Sequence, residues 1–175
     1  MKHLFGTLIF IGALSVFSFA QTRQPSAPIR PFVVKTAQSL NDLEKSLRSD
    51  NKLEDLIGGE GMQLRVAVQH DKLRENADAE VHDASDDVYY VLEGAANLTL
   101  GGKLENPREA TAGEWKSKTI TGGQTLTIKK GDLIVVPRGT PHQRNSIKDK
   151  EFSMILIKIF AQPLGAAQPK SANKN

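Results

Sequence analysis

Two short segments constrain the fold of this chain more than any other part of it. The first runs from Glu80 to Gly94 and the second from Gly131 to His142. Each places histidine or carboxylate side chains beside glycines or prolines, which are typical of turns between strands. Together they supply two imidazoles and at least two carboxylates. These groups are common ligands of divalent metals, so the two segments predict one metal site inside a small β-barrel.

The first segment predicts two strands joined by a polar turn. Glu80 and His82 are two residues apart, and side chains at this spacing point to the same face of a strand. After a turn, Asp87 begins a run of β-branched and aromatic residues that ends near Gly94. A hairpin here would bring Asp87 back alongside His82. We expect Gly94 to close the second strand.

The second segment has regular spacing around an apolar strand. Five residues separate Gly131 from Pro137, one separates Pro137 from Gly139, and two separate Gly139 from His142. This pattern resembles the second motif of the cupin superfamily in register. The last position of that motif is an asparagine in cupins, and Ser146 stands there in this chain.

The first segment resembles the first cupin motif less closely. His82 takes the second histidine position and Asp87 the glutamate position, with six residues between Asp87 and Gly94. Glu80 stands where cupins have their first histidine, and the leading glycine of the motif is absent. The resemblance covers roughly residues 60–160. It implies an all-β fold, a double-stranded β-helix or jelly-roll barrel, which we expect to carry short N-terminal helices.

The predicted metal ligands are Glu80, His82, Asp87 and His142. Two carboxylates enclosed together without a cation would repel each other, whereas a divalent cation balances them with both imidazoles neutral. This mixed nitrogen and oxygen set suits Mn²⁺, Fe²⁺, Zn²⁺ or Ni²⁺ and does not select among them. The competing interpretation is that both histidines are ordinary polar residues at a barrel mouth.

Four further residues are candidates for the substrate pocket: Arg144, Tyr89, Arg65 and Trp115. Each also has a simpler interpretation as a solvated strand residue or a core aromatic. Trp115 lies in the segment 101–124, which could form a lid over the site or could cap the barrel core. Asp86 competes with Asp87 as a ligand, but we expect it in the turn. We expect His70, in a polar stretch, to be exposed.

The N-terminus predicts a secretory signal peptide over residues 1–20. Lys2 precedes an apolar run, and Ser18-Phe19-Ala20 places small residues where a signal peptidase cleaves. A retained membrane anchor is the alternative, but the run is short for a span. Without Lys2 the formal charge falls from +3 to +2. The sequence contains no cysteine and hence no disulfide. We expect a secreted or periplasmic protein.

The rest of the chain divides into a flexible leader at 21–35, a cupin barrel domain with its N-terminal helices at 36–161, and a disordered tail at 162–175. One helix is predicted to begin near Ser39, with Leu40, Leu43 and Leu47 on one face, and a second over Asn51 to Ile57. Eight strands are predicted over residues 62–69, 79–82, 87–92, 97–100, 125–128, 133–136, 142–147 and 152–160.

Three functions fit this pattern, because the cupin fold hosts many activities. The first is an exported metal-dependent enzyme, of oxygenase, isomerase or lyase type, that acts on a small oxygen-rich molecule. The second is a non-catalytic protein that binds a small molecule or carbohydrate. The third is a metal-free enzyme that uses a histidine and a carboxylate as acid and base. The sequence contains no basic stripe, so we expect no nucleic acid partner. We also expect no membrane contact after signal cleavage. The resemblance implies a homodimer.

Overall fold

A computed structural model describes residues 25–165 of the chain. The chain consists of two units, Met1–Phe32 and Val33–Asn175. In the first unit, the described residues 25–32 form neither helix nor strand. The predicted signal peptide lies outside the described residues, as do residues 21–24 of the predicted leader and most of the predicted tail.

The second unit consists mainly of antiparallel strands. Among the described residues, no helix is both long and apolar enough to cross a membrane. The elements are α1 (Ala37–Leu47), β1 (Lys52–Ile57), β2 (Leu64–Asp71), β3 (Ala79–His82), β4 (Ser85–Leu100), β5 (Lys103–Glu105), β6 (Arg108–Thr111), β7 (Glu114–Ser117), β8 (Thr119–Thr121), β9 (Gln124–Lys129), β10 (Leu133–Val136), β11 (His142–Ser146) and β12 (Phe152–Phe160).

β4 joins the two faces of the barrel. Its first half pairs with β10 and β12, and its second half pairs with β9 and β11. β12 also pairs with β2, and β2 with the edge strand β1. On the other face, β11 pairs with β3, which is followed by β7 and β6. The barrel is therefore two antiparallel sheets that share one long strand.

Gly94 does not close a strand, contrary to our expectation. The predicted strands 87–92 and 97–100 are one continuous strand, β4, which passes through Gly94 and whose register against β12 shifts between Val91 and Glu93. Gly94 has a φ of 75°, and a Cβ on it would lie 1.9 Å from the carbonyl oxygen of Glu151. Only glycine fits here, because this conformation and this close approach both exclude a side chain.

The predicted second helix is also wrong. Residues 52–57 form strand β1, which pairs in antiparallel register with β2. The prediction for the first helix is nearly right, since α1 begins two residues earlier than expected. Thr36 caps it by accepting a hydrogen bond from the backbone N–H of Ser39. Leu47 is buried on its inner face, as predicted.

The core fills the barrel with aliphatic, aromatic and methionine side chains from both faces. Its buried members are Tyr89, Val91, Ala96, Leu98, Ile128, Val136, Phe152, Met154 and Leu156. Along β12, Met154, Leu156 and Lys158 alternate with residues of the outer face, so they share the inward face. The inward face of β12 therefore runs from the apolar core to a lysine at one end of the barrel.

Candidate metal centre

β3, β4 and β11 bring four predicted ligands to that end of the barrel. Glu80 and His82 are two residues apart on β3, so their side chains share one face. His142, the first residue of β11, lies opposite Glu80 in register. Asp87 is buried on β4, directly across from Lys158 of β12. The two motif segments thus meet at one place, although residues 101–141, which include strands β5 to β10, separate β4 from β11 in the sequence.

His142 offers an unprotonated ring nitrogen to the site. Its Nδ1 lies 3.0 Å from the carbonyl oxygen of Thr140, which can only accept a hydrogen bond, so Nδ1 carries the proton. Its Nε2 is buried and has no hydrogen-bond partner among the described residues. Burial also lowers the pKa of His142. A neutral imidazole with a free lone pair is the form that binds a metal.

His82 is oriented by a second carboxylate. Its Nδ1 lies 2.5 Å from Oε2 of Glu114, a residue of β7 that faces His82 in register. This hydrogen bond directs Nε2 of His82 toward Oε2 of Glu80, 4.0 Å away. Histidine ligands of metals commonly donate their other ring N–H to a carboxylate in this way. Glu114 was not predicted as a site residue.

The ligand atoms of Glu80, His82 and His142 all lie within 4.8 Å of one another. Together with the free Nε2 of His142, this spacing fits a divalent cation held by two histidines and one carboxylate. Burial opposes ionisation of Glu80, but the hydrogen bond and charge of Lys116 lower its pKa overall. Glu80 is therefore a carboxylate that can serve as a ligand.

Lys158 also occupies this centre, and the sequence did not predict it. Its Nζ lies 2.9 Å from Nε2 of His82 and 2.9 Å from Oδ1 of Asp87. Hydrogen bonds to Asp87 and Glu114 outweigh burial and raise the pKa of His82 to about 9. Nε2 of His82 cannot both carry its own proton and accept a hydrogen bond from the Lys158 ammonium. In either case a cation or a proton occupies Nε2 of His82, and a metal that binds there must displace it.

Asp87 is held by Lys158 and by Tyr89. The Tyr89 hydroxyl donates to Oδ2 of Asp87 at 3.1 Å, and burial raises the pKa of Tyr89 so that it stays protonated. Burial alone would raise the pKa of Asp87, but the hydrogen bond with His82 and the charge of Lys158 lower it to about 2. Asp87 lies 3.4 Å from Nε2 of His82. It could become a fourth ligand only if Lys158 moved away.

Of the four predicted pocket residues, Tyr89 lies next to the centre. Arg144 is buried in the barrel, where its Nη2 pairs with Oδ2 of Asp71 at 2.8 Å. Its guanidinium also stacks between the rings of Tyr89 and Phe152. Arg144 is thus a buried structural residue and not a solvated strand residue.

Arg65 and Trp115 do not contact the three ligands. Arg65 lies across from Lys158 in register, but its guanidinium pairs with Asp55 at 2.7 Å. Trp115 lies on β7 between Glu114 and Lys116, so it points to the opposite face of the strand. Its Nε1 donates to Asp83. The segment 101–124 forms the short strands β5 to β8 and reaches the first residue of β9.

Two further expectations concern Asp86 and His70. Asp86 lies within β4 instead of the turn, and it forms an ion pair with Arg138 at 2.7 Å. The expectation that His70 is exposed was wrong, since only 1% of its surface is exposed. It lies on β2, where its Nδ1 contacts the hydroxyl of Ser153. Its polar sequence neighbours gave no sign that α1 would cover it.

No family model matches the sequence, and no curated protein matches it significantly. Solved structures resemble its fold. BH2720 from Bacillus halodurans has a TM-score of 0.52 and 20% identity, over 82% of this chain and 88% of that one. A double-stranded β-helix protein from Klebsiella pneumoniae subsp. pneumoniae has a TM-score of 0.46 and 15% identity, over 65% and 75% of the two chains. A cupin protein from Bacteroides fragilis has a TM-score of 0.42 and 13% identity, over 71% of this chain and 87% of that one.

The two antiparallel sheets that share β4 confirm the predicted all-β barrel, and the likeness to BH2720 is a likeness of fold. The cupin resemblance of the two motifs is consistent with this fold. Within this barrel, Glu80, His82 and His142 form a possible metal site.

Proposed function

We propose that this protein is an exported metal-dependent enzyme that acts on a small oxygen-rich molecule. The observation that carries the proposal is the free, buried Nε2 of His142, which lies close to Nε2 of His82 and to the carboxylate of Glu80. We propose these three residues as the ligands of a divalent ion, Mn²⁺, Fe²⁺, Zn²⁺ or Ni²⁺. Two histidines and one carboxylate leave several positions open on such an ion.

The bound ion would supply Lewis-acid or dioxygen-binding chemistry at these open positions. The chain's own residues orient the site and charge its surroundings. Glu114 fixes the ring of His82, and Thr140 fixes the ring of His142. Lys116 and Lys158 place two ammonium groups beside the carboxylates. These cations suit a substrate that carries carboxylate or hydroxyl oxygens.

The test is a turnover screen of the mature protein, reconstituted separately with each of the four metals. The substrates are hydroxy acids, keto acids and sugars, with oxygen uptake and product formation as readouts. We expect at least one metal to give turnover that is lost in His142→Ala and in Glu80→Gln. The control is Glu105→Gln, which makes the same change on an exposed strand residue. Turnover that is equal in all variants would contradict the proposal. Saturable binding without turnover would favour the non-catalytic binding function.

A second candidate function is favoured by Lys158. Because its ammonium already lies between His82 and Asp87, these groups could move protons without a metal ion. In that case activity survives a chelator and is lost in Lys158→Met. If the site binds a metal, Lys158→Met instead strengthens metal binding, since it removes a cation that competes for Nε2 of His82. The two functions therefore predict different outcomes for Lys158→Met, which are loss of activity in the metal-free case and tighter metal binding in the metal-dependent case.

Export rests on residues 1–20 of the sequence. Cleavage after Ala20 would leave a mature chain that begins at Gln21. Expression of the full chain in a bacterial host, followed by mass measurement of the protein from the periplasm or medium, tests this. A protein that keeps its N-terminus and stays in the cytoplasm would contradict export without affecting the metal site.

A further inference from the structure

A second cavity lies beside helix α1, away from the candidate metal centre. It has a volume of about 390 Å³, and its lining includes Glu44, Arg48, His70, Glu151 and Ser153. Ser153 is five residues from Lys158 along β12, which corresponds to roughly 16 Å of strand. His70 and Ser153 are paired across β2 and β12 and are both buried beneath α1. The cavity is therefore a separate place in the fold.

A chain of hydrogen bonds places a proton on Nδ1 of His70. Burial opposes ionisation of Glu44, but hydrogen bonds from Arg48 and Ser153 lower its pKa overall. The ionised carboxylate can only accept, so the single hydroxyl proton of Ser153 goes to Oε1 of Glu44, at 2.7 Å. The 2.8 Å contact between Ser153 and Nδ1 of His70 must then be a hydrogen bond that Nδ1–H donates. In the neutral ring, Nε2 of His70 is then an acceptor.

This Nε2 forms no hydrogen bond within the described chain, although Lys150 also lines the cavity. It is buried, and Oε2 of Glu151 lies 4.0 Å away. A carboxylate oxygen is also an acceptor, so the two atoms face each other without a proton between them. A buried polar atom in this state costs free energy unless a donor reaches it.

The charges around the cavity indicate what kind of donor would fit. Arg48 pairs with Glu44, and Lys130 pairs with Glu93 at the rim. Glu151, in contrast, has its only ion-pair contact in the described chain with His70. An ammonium nitrogen about 2.9 Å from each atom would bridge Nε2 of His70 and the carboxylate of Glu151. Because the long Glu151 side chain is half exposed, it can rotate to admit such a group.

We propose that this cavity binds a small organic amine, with its ammonium group between His70 and Glu151. The ammonium group donates one hydrogen bond to Nε2 and another to the carboxylate. Its carbon chain occupies the cavity next to Gly94, Ala95 and Phe152. The relay from Glu44 through Ser153 keeps His70 in the accepting form. This site does not depend on the proposed function of the metal centre.

The test uses n-butylamine as the probe, with butan-1-ol and tetramethylammonium as matched controls of shape and charge. Binding to the chelator-treated mature protein is followed by calorimetry and by ¹⁵N chemical shifts of the His70 ring. We expect n-butylamine to bind and to shift Nε2, and we expect neither control to do so. Glu151→Gln should weaken binding about tenfold or more, since it removes a charge-assisted hydrogen bond. Glu54→Gln, an exposed carboxylate elsewhere, should leave it unchanged.

His70→Gln is the second variant, because it tests the ring without altering the surface charge. Circular dichroism checks that it folds, and it should also weaken binding. Three outcomes would overturn the proposal. One is no binding of n-butylamine. Another is equal weakening by Glu151→Gln and Glu54→Gln. The third is a ¹⁵N spectrum in which His70 of the free protein is doubly protonated at neutral pH, which would show that its own proton bridges to Glu151.

Discussion

At the residue scale, the metal centre depends on how each histidine ring is held. His82 is oriented by Glu114 and His142 by the carbonyl of Thr140, and in each case Nδ1 carries the proton. Nε2 of His142 is therefore free, and Nε2 of His82 becomes free once Lys158 moves away from it. The metal affinity of such a site falls when the residue that accepts the hydrogen bond from Nδ1–H is changed, even though the ligands themselves remain.

Glu114→Gln tests this directly. The amide can still contact Nδ1 but no longer stabilises it by charge, so we expect metal affinity to fall about 10-fold to 100-fold. Competition with a colorimetric chelator measures the affinity. Glu105→Gln is the matched control, because it makes the same change at an exposed residue of β5. Equal affinities of the wild-type protein and Glu114→Gln would show that Glu114 does not orient the ligand.

Asp87→Asn tests the ion pair beneath the site. The pKa of Asp87 is lowered to about 2 in the folded chain, below its ordinary value of 3.8. Its contribution to stability is therefore full above pH ~4 and is lost as the pH falls toward 2. In chelator-treated protein we expect the variant to be less stable by about 2 kcal/mol at pH 7. Urea unfolding at several pH values should show the difference shrinking below pH ~4. A constant difference across this range would contradict the assignment.

The sequence predicted four metal ligands, of which the structure groups Glu80, His82 and His142 closely enough to hold an ion, but it did not predict the groups that hold them. These three residues lie in motifs whose resemblance to those of cupins implies strands that meet. Lys158 and Glu114 come from β12 and β7, which no local pattern connects to those motifs. Alternation along β12 assigns Lys158 to the inward face, but only the pairing of β12 with β4 places it beside Asp87.

At the scale of elements, β4 determines the shape of the barrel. It is long enough to take part in both sheets, and it changes its pairing at Gly94. The sequence indicates a strand on each side of this glycine, which is why two strands were predicted. The bulge cannot be read from the sequence, because an isolated glycine is equally typical of a turn.

Gly94→Ala tests the role of this bulge. The substitution places a Cβ against the carbonyl of Glu151 and forces a side chain into a conformation with positive φ. We expect a loss of at least about 2 kcal/mol in the free energy of unfolding. Gly131→Ala is the control, since Gly131 has a φ of 88° but open space around its Cα. A loss of about 1 kcal/mol is expected there. Equal losses would show that close packing at Gly94 is unimportant.

β1 shows why the second predicted helix was wrong. Its leucines, Leu53 and Leu56, are three residues apart, which fits one face of a helix. In the structure this segment pairs along β2 as the edge of the sheet. Backbone pairing with a neighbouring strand outweighs a weak local preference for helix, and the sequence does not show that a free edge is available.

At the scale of the whole molecule, the outer face of one sheet is apolar. Cross-strand pairs place Leu133, Tyr90, Val135, Ile159 and Leu64 on the same face of β10, β4, β12 and β2. All five are exposed in the single chain. An apolar patch of this kind on a soluble domain is typical of an interface. It supports the homodimer that the cupin resemblance implies.

We therefore expect a dimer that forms through this face. Val135→Lys should shift the protein to a monomer at micromolar concentration, as measured by sedimentation equilibrium, because it places a charge within the patch. Leu73→Lys, at an exposed residue outside the sheet, should not change the mass. A monomeric wild-type protein would contradict this expectation, as would a dimer that Val135→Lys leaves intact.

The central claim is that Glu80, His82 and His142 hold a metal ion. Elemental analysis by mass spectrometry of the purified mature protein tests it most directly, beside the Glu80→Ala/His142→Ala double variant and the Glu105→Gln control. We predict one equivalent of a transition metal in the mature protein and in the control, and its loss in the double variant. An absence of metal from all three, even after reloading under reducing conditions, would contradict the account. So would equal metal content in the double variant.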